Sequence, residues 1–150
     1  MDKYFRTVSA AHVYLIRENN GKQQVCLALR AKSLLGGGQW DPTGAGHLER
    51  DETFTQNAQR ELLEEAGVTF NPKDIKFMTL IHNRCSRENS RAHIHFFVDK
   101  WNGEPRIIEA DKCDEMRWFD IDNLPNNMSF DRREAIENYL NKIAYSEKGW

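Results

Sequence analysis

Apolar residues along this chain fall into two kinds of block. HVYLI (12–16), VCLAL (25–29), IKFMTLIH (75–82), AHIHFFV (92–98) and MRWFDI (116–121) are short and rich in β-branched and aromatic residues, so each predicts a strand. The turn-like ENNGK between the first two predicts a hairpin, and NGEP (102–105) a turn. LLGGGQW, with three glycines at Gly36 to Gly38, predicts a mobile loop, and DPTGAG (41–46) reads as a second irregular stretch.

The other kind of block carries helical spacing. Thr53 and Gln56 are placed as a capping box, and Gly67 suits the left-handed residue that ends a helix, which predicts one helix from Thr53 to Ala66. RREAIENYLNKIA (132–144) predicts a second, with Ala135, Ile136, Tyr139, Leu140 and Ile143 on its buried side. DNLPNN breaks the chain before it. Strands and helices mix along the chain without a repeat or linker, which predicts an α/β or α+β fold in a single domain over residues 1–150.

Composition narrows the function classes. With 39% hydrophobic and 29% charged residues, the chain is too apolar for a disordered segment. A formal net charge of -2 argues against a grip on a nucleic-acid polymer but leaves room for a small anionic ligand at a local site. Cys26, Cys85 and Cys113 are odd in number, widely spaced and without a C-x-x-C pair, as expected of free thiols in a reducing compartment. The N-terminal MDKYFRTVSA has no apolar leader core, and no run approaches the roughly 18 apolar residues of a membrane span. The expected location is cytoplasmic, with no membrane partner.

Between Gly46 and Val68 the chain holds Glu49, Asp51, Glu52, Glu61, Glu64 and Glu65 against Arg50 and Arg60. On the predicted helix Glu61, Glu64 and Glu65 stand at i, i+3 and i+4 and share one face, with Leu62, Leu63 and Ala66 on the opposite side. Like charges at that spacing destabilise a helix by about 0.2–0.5 kcal/mol per pair, and acids in the last turn oppose the helix dipole. Two local rules are broken at one place, which is where function is expected. A hard divalent cation removes the conflict, and Mg²⁺ favours oxygen ligands shared with substrate phosphates.

The spacing Gly46, Glu52, Arg60-Glu61, Leu62, Glu64-Glu65, Gly67, Val68 is similar at every defined position to the 23-residue signature of the Nudix hydrolases, G-x5-E-x7-R-E-U-x-E-E-x-G-U with U a bulky aliphatic residue. WNGEPRIIEADKCDEMRWFDIDNLP (101–125) and VCLALRA also resemble small bacterial, MutT-like members of that family. The resemblance implies a Nudix-type α/β/α sandwich with a mixed central sheet. It implies that Glu61, Glu64 and Glu65 are metal-binding and base carboxylates and that Glu52 is an accessory acid. It further implies that Arg60 orients a glutamate by ion pairing and that the carbonyl of Ala45 is a metal ligand. Many relatives carry glycine where Ala45 stands. A late-loop acid completes the metal site in relatives, with Glu109 the best-placed candidate and Asp111 and Glu115 its rivals. Arg30, at the end of VCLALR, falls where relatives meet a phosphate, and Arg91 is a second candidate for that work. Asn127 falls in a loop that touches the base in some relatives, although Asn-Asn after Pro is also ordinary turn chemistry.

The activity implied is a Mg²⁺-dependent (or Mn²⁺-dependent) pyrophosphohydrolase. It cleaves a nucleoside diphosphate linked to another group, with a modified or oxidised nucleoside triphosphate as the leading substrate. A nucleoside diphosphate sugar of the ADP-ribose type is the alternative, and a non-catalytic nucleotide-binding regulator is a third reading that the intact acids oppose. Isomerases of this family use a cysteine shortly before the box, and QWDPTGA has none. The expected assembly is a monomer or homodimer.

His93 and His95 face one side of a strand, with His82 on a neighbouring one, and no fourth ligand joins them, so packing or ligand contact is expected there in preference to zinc. GAGHLE has Glu49 at the third glycine position of a dinucleotide fingerprint, and no G-x-x-x-x-G-K-[ST] is present.

Overall fold

A computed structural model describes residues 3–150; Met1 and Asp2, at the start of the predicted domain, lie outside the described residues. The elements run β1 (Val8–Asn19), β2 (Lys22–Arg30), β3 (Trp40–Pro42), β4 (Gly44–His47), α1 (Phe54–Ala66), β5 (Lys76–Ser86), β6 (Asn89–Val98), β7 (Cys113–Asp120), α2 (Arg132–Leu140) and β8 (Tyr145–Lys148). They build a mixed sheet of 8 strands in the order β3-β2-β1-β6-β5-β8, with β4 added to β1 and β7 to β2. β1 runs parallel to β6, and β5 parallel to β8; the other pairs are antiparallel.

β1 is buried from Ala10 to Ile16 without alternation because both of its faces are covered. Its odd residues Ala11, Val13 and Leu15 join Ala58, Leu62, Ala66 and Val68 in the core under α1. Its even residues Tyr14 and Ile16 join Val25, Leu27, Trp40 and Ile136 in the core under α2. The two-residue period of one central strand thus feeds both layers of an α+β sandwich.

Helix α1 begins and ends as its sequence predicts. Thr53 accepts from Gln56 N, Gln56 returns the bond to Thr53 N, and Gly67 takes φ 68° and donates to Leu63 O at 3.0 Å. Its buried face differs from the expectation. Leu63 is 51% exposed, whereas Glu61 is buried beside Leu62 and Ala66. The helix is rolled so that Glu61 and Glu65 turn inward toward β4, which sends Leu63 to solvent. Asn57 fixes this roll: its Oδ1 accepts from Ala11 N at 3.0 Å and its Nδ2 donates to His47 O at 3.2 Å.

Helix α2 is shorter than the predicted 132–144. Lys142 takes φ 57°, and Ile143 N donates back to Asn138 O at 2.8 Å, so the chain turns out of the helix. Leu140 and Ile143 are therefore exposed, and Asn138 is buried in their stead, donating to Thr79 Oγ1 and Ser146 Oγ. DPTGAG also departs from its irregular reading, since most of it forms β3 and β4.

Candidate functional site

Strand β4 is the floor on which the acidic helix rests. A Cβ on Gly44 would stand 2.9 Å from Leu62 N, and one on Gly46 would stand 2.0 Å from Glu61 Oε1. Only glycine lets the strand approach the helix this closely. Ala45, between them, donates its N–H to Glu65 Oε2 at 3.1 Å.

Arg60 organises the acids around it. Its Nε donates to Glu52 Oε1 at 2.7 Å, Nη1 to Glu61 Oε1 at 2.7 Å, and Nη2 to both Glu52 Oε2 and His47 O. Glu64 stands 3.6 Å from Arg60, with its side chain 54% exposed. The three helix acids thus divide: Glu61 and Glu65 point inward and Glu64 sits at the rim.

Burial raises the Glu65 carboxyl from the ordinary glutamate range to about 9, and the neighbouring Glu61 charge adds to the effect. Burial raises Glu61 as well, against the pull of Arg60, and the nearby Glu64 charge adds to the rise. Arg60 acts in the opposite direction on Glu52, holding its carboxyl below the usual range. Two neighbouring carboxyls, one buried and one partly buried, that resist ionising together need a cation to be charged at once. Their oxygens, with the Ala45 backbone, form a donor set suited to a hard divalent ion.

An open cavity of about 730 Å³ reaches this site at Ala45, Gly46 and Glu65, while Glu52, Arg60, Glu61 and Glu64 stand outside its lining. Ala45, Gly46, Glu65, Glu109, Arg30 and Arg91 all line it. Glu109 pairs with Lys112 at 2.7 Å, whereas Glu115 is engaged by Arg117 and, with Asp111, does not line the cavity. Arg30 donates from Nε to Leu35 O at 2.6 Å and stands 4.0 Å from Asp41. Arg91 meets His47 Nε2 at 3.1 Å. Asn127 is not brought to the cavity; its amide donates to Gly38 O and its carbonyl accepts from Trp40 N, tying the glycine loop and β3 together.

The far end of the cavity holds residues that sequence reasoning did not assemble. His82 packs against Trp150, and His12 joins His93 and His95 instead. The register explains this, because His12 on β1 stands opposite His95 on β6, whereas His82 on β5 pairs with Ala92 and so faces the other side. A lone histidine inside HVYLI carried no signal without that register.

The family model described as NUDIX domain matches residues 6–139. The chain belongs to the Nudix hydrolase family. Among curated proteins it is 36% identical over 109 residues to an oxidized purine nucleoside triphosphate hydrolase of Danio rerio, which covers 68% of this chain and 62% of that protein. The protein of the same description from Mus musculus is 32% identical over 105 residues, covering 69% of this chain and 62% of the relative. This chain therefore spans less than two thirds of either relative. Among solved structures it resembles a MutT NUDIX hydrolase from Burkholderia pseudomallei, with a TM-score of 0.73 at 20% identity over 88% of this chain and 97% of that one. It also resembles the NUDIX domain of Shewanella oneidensis NrtR complexed with ADP ribose, with a TM-score of 0.70 at 17% identity over 96% and 94% of the two chains. These structural likenesses extend the agreement in fold. Nudix hydrolases generally use a divalent metal.

Proposed function

We propose that this protein is a Mg²⁺-dependent pyrophosphohydrolase that cleaves purine nucleoside triphosphates, modified or oxidised ones included, to a nucleoside monophosphate and pyrophosphate. One observation carries this reading: Glu65, Glu109, Ala45, Arg30 and Arg91 line a single cavity. The purine assignment draws on the two vertebrate relatives described as hydrolases of oxidized purine nucleoside triphosphates.

In this reading Glu61, Glu64, Glu65, Glu109 and the Ala45 carbonyl hold the cation. When bound, the ion neutralises the polyphosphate and aligns it for in-line attack. Arg30 and Arg91 grip phosphate oxygens. Arg60 fixes Glu61 and Glu52 by ion pairing, so that a carboxylate free of the cation takes a proton from the attacking water. Water oxygen bonds to phosphorus, the bridging P–O bond breaks, and pyrophosphate leaves. No covalent intermediate with the protein is required; positioning and electrostatics supply the acceleration. The protein works in the cytoplasm as a monomer or homodimer.

The test is a panel of canonical and oxidised nucleoside triphosphates and ADP-ribose, incubated with Mg²⁺ and resolved by product. Release of pyrophosphate and monophosphate from purine triphosphates is the expected result. Preferential cleavage of ADP-ribose would move the assignment to a nucleotide-sugar pyrophosphatase, and hydrolysis of none would leave a binding protein.

A further inference from the structure

Four charged side chains run in line from the interior to the cavity wall. Asp131, fully buried, accepts from His93 Nδ1 and Asn83 Nδ2, each at 2.8 Å, and from Arg132 Nη1 at 2.9 Å. These donors outweigh its burial and hold it ionised. Arg132 donates from Nε to Asp41 Oδ1 at 3.0 Å, and Asp41 Oδ2 stands 4.0 Å from Arg30 Nη1. Charge alternates in sign at each step. Exposure grows outward: the Asp131 side chain is 0% exposed, those of Arg132 and Asp41 14% and 16%, and that of Arg30 41%. Arg132, Asp41 and Arg30 all line the cavity.

Asp41 is out of place in this wall by simple electrostatics. A carboxylate beside a cavity that takes a polyphosphate repels its ligand. Arg132 does not depend on it for a partner, since Asp131 already pairs with that guanidinium inside the fold.

Its effect on Arg30 supplies a reason. Ala28 pairs with Asp41 across β2 and β3, so Arg30, two residues on, stands at the diagonal position on the same face. Arg30 Nε donates to Leu35 O at 2.6 Å, which holds the near end of the guanidinium. At 4.0 Å Asp41 attracts Nη1 without forming a hydrogen bond. The terminal nitrogens of Arg30 thus make no hydrogen bond among the described residues. They stay free to donate in a fork to phosphate oxygens. An arginine of this exposure with no such partner would have to give up its rotamer freedom when the ligand binds.

We propose that Asp41 is a positioning residue: clamped from behind by Arg132, its carboxylate orders Arg30 before substrate arrives and leaves both Nη groups to the phosphates. The inference rests on the phosphate role given to Arg30 in the reading above. It adds that an acid on the cavity wall strengthens the binding of an anion.

A double-mutant cycle of D41N and Arg30→Ala tests this, read by calorimetric titration of inorganic tripolyphosphate in Mg²⁺ and by steady-state kinetics on a purine nucleoside triphosphate. Asparagine keeps the shape and still accepts from Arg132 through Oδ1, so the charge facing Arg30 is what is lost. D41N should weaken tripolyphosphate binding about three- to tenfold and raise KM for the nucleotide by a similar factor, with kcat near its wild-type value. In the Arg30→Ala background D41N should change neither affinity nor KM. Asp41→Ser, which leaves Arg132 a hydroxyl acceptor, takes its place if D41N does not fold. Tighter tripolyphosphate binding by D41N overturns the proposal, because Asp41 is then only a repelling charge. Unchanged affinity overturns it, and so does an equal loss with and without Arg30, which marks an effect through the scaffold. A loss for the nucleotide alone would make Asp41 a contact of the nucleoside and overturn it as well. If wild type binds tripolyphosphate but cleaves no nucleotide, the pyrophosphohydrolase reading falls and the tripolyphosphate cycle still decides on Asp41. If wild type binds no tripolyphosphate in Mg²⁺, both fall.

Discussion

At the scale of single residues, the site is built from groups that are costly where they stand. Glu65 is partly buried beside another carboxylate, and a neutral amide of the same shape would sit there more comfortably. Glu65→Gln is therefore expected to lower kcat by about 10²–10³ while the melting temperature of metal-free protein holds or rises. Parallel turnover and calorimetry decide between roles: a structural part predicts that both fall, and a merely solvated acid predicts that neither moves. Arg30 allows a cleaner separation of binding from folding, because its side chain is 41% exposed. Arg30→Ala should raise KM for the nucleotide well beyond any change in melting temperature, and a wild-type KM and kcat would return Arg30 to its contact with Leu35 O. The shared helix of Glu61, Glu64 and Glu65 was legible in the sequence from spacing alone, whereas Arg30, Arg91 and Glu109 were named only by resemblance to relatives. His12 was not legible. Its partners are on β6, and only the β1–β6 register joins them.

At the scale of elements, the contact between β4 and α1 holds the acids in place. Gly46 faces the Glu61 carboxylate so closely that a methyl group would displace it from Arg60. Gly46→Ala should accordingly cost activity by an order of magnitude or more, with far-UV helicity retained; unchanged kinetics would mean the helix can shift without harm. Thr53, Gln56 and Gly67 announced α1 because capping is local chemistry. β4 was hidden, since Gly-Ala-Gly has low strand propensity and pairs only because β1 offers an edge. The roll of α1 was hidden for a related reason. Periodicity placed Leu63 with Leu62, whereas Asn57, a polar residue with no apolar signature, sets which face turns inward. β8, Tyr145–Lys148, was not anticipated from the sequence and is a strand by pairing with β5.

At the scale of the whole molecule, the acids couple folding to pH and to metal. Burial and Glu61 raise the Glu65 carboxyl, so between the ordinary glutamate range and about pH 9 the folded, metal-free protein binds more protons than the unfolded chain. Stability in EDTA should then fall as pH rises through that window. Glu65→Gln should flatten the fall, and thermal melts of both proteins from pH 5 to 9 check it. Mg²⁺ binds the ionised form, so it should restore stability most at the alkaline end. A pH profile in EDTA identical for wild type and Glu65→Gln would remove Glu65 as the source. Among the described residues, no helix is long and apolar enough to cross a membrane. The three cysteines are free, as their odd number and spacing indicated.

The most direct measurement is pyrophosphate release from a purine nucleoside triphosphate by protein stripped in EDTA, followed by addition of Mg²⁺. Turnover should be absent in EDTA and return as the acids around Ala45 fill, reaching a plateau with one saturating Mg²⁺ dependence in wild type and little recovery in Glu65→Gln. Full turnover in metal-free buffer, or equal Mg²⁺ rescue of wild type and Glu65→Gln, would contradict the account.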